Sequence, residues 1–137
     1  RIPLRRKQMR ISCPADVHNL LQSVLKSESK PDRDQEHFWV LHLDTRSVIR
    51  SLHLVSLGTL DQTLVHPREV FTRAVAERCA TIIVAHNHPS HDPQPSSEDI
   101  TITNQLHEAG KLLGITVTDH VITAGKDFYS FKQDGRL

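Results

Sequence analysis

Residues 36–43, Glu-His-Phe-Trp-Val-Leu-His-Leu, set apolar side chains on both faces of one extended segment. A strand of that kind must be covered on both sides, which predicts a central place in a covered sheet. Asp44 to Ser47 reads as a turn and residues 48–56 as a returning strand, so the two form an antiparallel hairpin. Ala80-Thr81-Ile82-Ile83-Val84-Ala85 reads as a short buried strand. A further strand is expected over residues 115–123. A turn at Gly125-Lys126-Asp127 then leads to a last short strand at Phe128 to Phe131.

Helices fill the intervals. After a short extended piece at Met9-Arg10-Ile11, Ser12 can cap a helix and Pro14 suits its first turn. Val17, Leu20, Leu21, Val24 and Leu25 give that helix one apolar face. Ser27 to Gln35 reads as a polar loop broken by Pro31. Pro67 opens a second helix, with Val70, Phe71, Ala74 and Val75 facing inward. Ser97 to Leu113 reads as a third, with Ile100, Thr103, Leu106 and Ala109 on its inner face and Gly110 loosening its last turns. The order predicts an α/β (mixed α+β) fold, a central mixed β-sheet with helices packed on it.

With 137 residues, the chain has room for one core and hardly for two. Residues 11–137 are expected to form one domain, and residues 1–10 a basic arm or linker remnant. Arg1, Arg5, Arg6, Lys7 and Arg10 give that arm five basic groups and no acid. The remaining 12 basic and 16 acidic groups leave the body at −4, so the formal +1 hides a basic arm on a mildly acidic domain. Such an arm can contact DNA, and a severed linker looks the same. The chain begins without Met, which reads as a piece of a longer protein. No apolar run reaches the length of a membrane span, and the start lacks the apolar core of a secretory signal. Cys13 and Cys79 make no disulfide framework, so a cytoplasmic setting is expected, with Cys79 a small buried hydrophobe.

Ten histidines stand against one Trp and one Tyr, a composition that raises proton or metal chemistry. His86-Asn87-His88-Pro89 directly follows the buried strand. Two histidines one residue apart point the same way while the chain stays extended. Asp99, in the first turn of the third helix, can reach back toward them. Two imidazoles and a carboxylate are a common catalytic zinc set that leaves a fourth position for water.

His86-x-His88, seven residues, Ser96, two residues and Asp99 together resemble the signature of the JAMM or MPN metalloprotease-type domain. The flanks resemble its bacterial RadC branch: His86-Asn87-His88-Pro89-Ser90, Asp92-Pro93-x-Pro95-Ser96, Gly58-Thr59-Leu60, Pro67-Arg68-Glu69-Val70, Asp119-His120 and Tyr129-Ser130-Phe131. The likeness runs from about Met9 to the C-terminus. It implies a JAB/MPN-like, cytidine deaminase-like architecture in which His86, His88 and Asp99 hold zinc. By position it makes Glu36 the general base, and Ser96 the hydroxyl that steadies a tetrahedral intermediate. The same hydroxyl is also placed to cap the third helix. The implied reaction is direct attack of activated water on a peptide or isopeptide bond, without a covalent enzyme intermediate.

The chain departs from this pattern at His91, where most members of the family it resembles carry Gly. Glycine there suggests a left-handed or tight backbone. His91 reads as a tolerated loop residue, with an extra metal ligand as the alternative. His120 reads as support for the site or the sheet. His18, His37, His42, His53, His66 and His107 read as packed or solvated. A thiol hydrolase fails on spacing, Ser-His-Asp catalysis lacks a nucleophile elbow, and the paired cysteines of zinc deaminases are missing. Three functional readings stay open: a zinc peptidase or isopeptidase acting on a peptide or protein substrate, a DNA-repair-associated protein that binds nucleic acid or a protein partner, and a noncatalytic binding module.

Overall fold

A computed structural model of the chain describes residues 9–58 and 65–137. Among the described residues, five strands and four helices follow in the order α1 (Pro14–Lys26), α2 (Lys30–Arg33), β1 (His37–Leu43), β2 (Ile49–Leu57), α3 (Pro67–Ala76), β3 (Thr81–Asn87), α4 (Ser97–Leu113), β4 (Thr116–Ala124) and β5 (Asp127–Ser130). The sheet order is β2-β1-β3-β4-β5. Only β3 and β4 run parallel, joined by the α4 crossover, and the other neighbours are antiparallel. The sheet is mixed, with helices on both faces, as expected.

Period-two alternation sorts the side chains between those faces. Phe38 and Val40 of β1 and Ile82 and Val84 of β3 pack with Val70, Phe71 and Ala74 of α3 and Ile102 and Leu106 of α4. Trp39, Leu41 and Leu43 of β1 and Ile83 and Ala85 of β3 face the other way, against Val17, Leu21 and Leu25 of α1. Every residue of β1 is buried, which explains the two-sided apolar run at 37–43.

Several local expectations need correction. Asp16 completes the start of α1, its carboxylate accepting the amides of Ser12 and Cys13, so Ser12 is not the cap. Pro31 does not break a loop. It occupies the first turn of the short α2, where a missing amide costs nothing. Val75 is 53% exposed, because it lies about a quarter turn from the centre of the stripe formed by Val70, Phe71 and Ala74. The buried stripe of α4 is Asp99, Ile102, Thr103, Leu106 and Gly110, while Ile100 and Ala109 lie half-buried beside it. Gly110 turns inward for a steric reason: a Cβ there would sit 2.3 Å from the Ile115 carbonyl oxygen. It marks a close approach rather than a loosened helix end.

The end of the basic arm is tied down. Arg10 bridges Val48, and the Met9 carbonyl accepts the Ile49 amide at 2.8 Å. Arg1, Arg5, Arg6 and Lys7 lie outside the described residues, as do Thr59 and Leu60. Both cysteines are free, Cys79 buried and Cys13 exposed. Among the described residues no helix is long and apolar enough to cross a membrane.

Candidate metal centre

β3 carries its alternation straight into the site. Ile82, Val84 and His86 share the α4 face of the sheet, so the first histidine enters where a core residue would otherwise lie. The chain stays extended for one more step, its His88 amide donating to the Thr123 carbonyl at 2.9 Å. His88 therefore returns to the face of His86. Asp99 reaches them from the first turn of α4, and all three lie together at one end of the β3–α4 seam.

The ligand atoms converge closely. His86 Nε2 and His88 Nε2 are 3.0 Å apart, His86 Nε2 and Asp99 Oδ1 3.1 Å, and His88 Nε2 and Asp99 Oδ2 3.2 Å. Tetrahedral zinc with bonds of about 2.0–2.1 Å sets neighbouring donors roughly 3.3 Å apart. The three separations fit one small cation without rearrangement. His86 is fully buried and Asp99 nearly so, while His88 keeps partial exposure and leaves an approach open.

Proton placement supports the same reading. His88 Nδ1 lies 2.7 Å from the Asp92 carbonyl, which only accepts, so Nδ1 carries the hydrogen and neutral His88 presents a lone pair at Nε2. Burial opposes a charge on His88. The Asp99 carboxylate, the Asp92 carbonyl and the nearby Glu36 charge outweigh it and raise its pKa. Burial likewise works against an ionised Asp99, yet its contacts with His86 and His88 and the Ser96 amide hold it far below the usual carboxylate range. The cluster thus keeps Asp99 ionised, the state in which a carboxylate can bind a metal.

Ser96 and Glu36 are brought to the neighbourhood in different ways. Ser96 Oγ accepts the Asp99 amide at 3.1 Å, so the hydroxyl caps α4. Glu36 lies just before β1 and lines a cleft of about 670 Å³ with Asp34, Gln35, Gly58, His88 and Ser90. Asn87 secures that approach. Facing away from the two histidines, it accepts the His37 amide at 2.5 Å and donates to the Gln35 carbonyl at 3.0 Å. It therefore grips the residues on either side of Glu36, whose own carbonyl accepts the Gly58 amide at 2.8 Å.

His91 adopts φ +68, the left-handed backbone that glycine would favour there, and its ring lies over Gly125. It is not part of the ligand cluster. His120 and Thr103 stand behind His86, and Asp119, on the opposite face of β4, fastens Ser130 and Lys132. Burial, with the nearby His86, drives His120 well below the ordinary histidine pKa. Sequence reasoning missed Asn87 and the role of Thr103. Asn87 had a signal: a polar residue between two same-face ligands must point to the other face. Thr103, one turn after Asp99, read as a core contact.

The family model described as the RadC-like JAB domain matches residues 11–136. A UPF0758 protein of Methanosarcina mazei is 44% identical over 126 residues, which cover 92% of this chain and 53% of that protein. UPF0758 proteins of Desulforamulus reducens and Chlorobium chlorochromatii are 44% and 41% identical, with 93% and 100% of this chain and 54% and 60% of theirs covered. The chain thus spans a little over half the length of these relatives. Fold, ligand spacing and family match agree, and the chain belongs to the RadC-like JAB domain family.

Proposed function

We propose that this domain is a zinc-dependent hydrolase of peptide or isopeptide bonds. The observation that carries this reading is the convergence of His86 Nε2, His88 Nε2 and the Asp99 carboxylate within 3.0–3.2 Å of one another beside an open cleft. Bound there, zinc supplies a Lewis acid and allows water to act as a nucleophile near neutral pH.

The chain's own groups divide the remaining work. Glu36, held at the cleft by its neighbours' contacts with Asn87, takes the proton of the attacking water and returns it to the departing amine. Ser96 Oγ already accepts the Asp99 amide, which leaves its own proton free to donate toward developing negative charge. Asp34, Glu36, Ser90, Asp92 and Gln94 give the cleft a polar lining with three carboxylates, suited to an extended backbone rather than an apolar side chain. Substrate identity belongs to the longer proteins of the family as much as to this domain.

Metal analysis and a peptide-library screen test the reading together. Wild type and Glu36→Gln should both retain about one zinc per chain, while cleavage collapses in the variant. His88→Ala should lose the metal and the activity. Undiminished cleavage by Glu36→Gln would remove Glu36 from the mechanism, and a wild type that retains no zinc would remove the metal.

A further inference from the structure

Behind His86 lies a buried chain of hydrogen bonds that runs from ring to ring and ends on the helix carrying Asp99. His86 Nδ1 is 2.7 Å from His120 Nε2, His120 Nδ1 is 2.5 Å from Thr103 Oγ1, and Thr103 Oγ1 is 2.7 Å from the Asp99 carbonyl. Each contact needs one hydrogen between its heavy atoms, and the supply is limited. A carbonyl has none to give, so the Thr103 hydroxyl donates to Asp99. Having spent its only hydrogen, Thr103 Oγ1 can only accept from His120, which places a hydrogen on His120 Nδ1. His120 is completely buried, with no carboxylate on either ring nitrogen among the described residues, so it stays neutral and its Nε2 is bare. The hydrogen between the two rings must then come from His86 Nδ1.

We infer that Thr103, acting through His120, fixes the tautomer of His86 so that its Nε2 meets the candidate metal position as a bare lone pair. The need is clear from the geometry. Asp99 Oδ1 lies 3.1 Å from His86 Nε2 and, left to itself, would draw the ring proton onto the atom a metal requires. A ligand histidine commonly donates its far N–H to a carbonyl or carboxylate. His88 does so with Asp92, but His86 is buried against Phe38 and has only another histidine behind it. A second imidazole accepts as readily as it donates, so its direction must be set from outside, and the Thr103 hydroxyl sets it. Thr103 and His120 are positioning residues, since neither touches the cleft. Because Thr103 also bonds the Asp99 carbonyl, one hydroxyl couples the orientation of two ligands.

The inference rests on the metal-centre reading, but part of its test does not need the metal. In metal-free protein at pH 8, long-range proton–nitrogen NMR of the histidine rings should show hydrogen on Nδ1 of both His86 and His120. Hydrogen on His86 Nε2 in the wild type overturns the relay outright, whether or not any metal binds. Thr103→Ser keeps the hydroxyl and should preserve the pattern. Thr103→Val keeps the shape but not the hydroxyl, and should move the His86 hydrogen toward Nε2. Competition for zinc against a chromogenic chelator should then show Thr103→Val weakened by about 10–100-fold, with Thr103→Ser near wild type. Equal zinc affinity in wild type and a folded Thr103→Val would also overturn the proposal. A wild type that never binds zinc would sink the metal reading and leave the ring tautomers to judge the relay.

Discussion

Ser96 and Asp99 hold each other at the start of α4: Ser96 Oγ accepts the Asp99 amide at 3.1 Å, and Asp99 Oδ2 accepts the Ser96 amide at 2.8 Å. The reciprocal pair is a capping box closed by aspartate. Closing the cap also orients the candidate ligand Asp99, because one carboxylate oxygen is anchored on backbone while the other meets His86. Helix initiation and the geometry of the candidate metal site are therefore one event. The Ser96-x-x-Asp99 spacing has a local physical reason in the helix cap.

Replacing Ser96 separates those roles. Ser96→Ala should cost about 1 kcal/mol in urea denaturation, the usual loss of a helix cap. Ser96→Asn restores a good cap and should recover most of that stability. If the hydroxyl also donates to substrate, Ser96→Asn stays inactive while folding like wild type. Full turnover in that variant would leave Ser96 a cap alone.

Gly110→Ala should destabilise the domain although alanine is the better helix former. The gain in propensity is about 1 kcal/mol. Against it, the new methyl would lie 2.3 Å from the Ile115 carbonyl oxygen and 3.4 Å from Phe71 Cζ. The first neighbour is backbone, held by the Ile115 amide on the Gly110 carbonyl at 2.9 Å, so it cannot simply rotate away. A net loss of about 1–3 kcal/mol is expected from overpacking of this kind. A variant as stable as wild type would show that the turn between α4 and β4 can shift.

The contrast between Gly110 and His86 shows what the sequence made legible. Strand alternation and the one-residue gap placed His86 and His88 together, and the Ser-x-x-Asp spacing placed Asp99 beside them, because both rules act over a few residues. The central β1 was legible for the same reason. Gly110 was misread because its partner, the Ile115 carbonyl, becomes a neighbour only when the chain folds back after α4. His120 was legible as support for the site, but its pairing with Thr103 was hidden for a like cause. Seventeen positions apart, the two residues meet across the helix–sheet interface, where no local pattern points. Val75 shows the limit of periodicity itself, which gives a stripe but not its edges.

His91 gives a paired test of backbone strain. Its φ of +68 is costly for most side chains, by about 1–2 kcal/mol against glycine. His91→Ala and His91→Gly both remove the ring that lies over Gly125, so their difference isolates the backbone. The glycine variant should be the more stable by about 1 kcal/mol, less than the full strain because glycine gains freedom in the unfolded chain. Thermal or urea denaturation reads it directly. Equal stabilities would mean that the loop relaxes to a negative φ when the ring is gone.

His42 supplies a stability change with a defined pH window. It is fully buried on β1, with Nδ1 3.1 Å from Ser51 Oγ, and no hydrogen-bond partner for Nε2 among the described residues. Burial lowers its pKa to about 4, Glu77 pulling upward and His53 and Arg73 downward. In the unfolded chain the ring titrates near its ordinary 6.5, so between pH 6.5 and 4 the unfolded state binds the extra proton. The favourable contribution is therefore complete above pH 6.5 and is lost as pH falls toward 4, with no further loss below. A depression of this size corresponds to about 3 kcal/mol. His18, His53 and His120 are lowered as well and act in the same sense, so the wild-type slope alone does not assign the effect. His42→Gln removes one titrating group and leaves the others. Urea denaturation from pH 7.5 to 4 should show the wild type losing more stability than the variant. Parallel curves would show that His42 is protonated in the folded state at far higher pH than its burial allows.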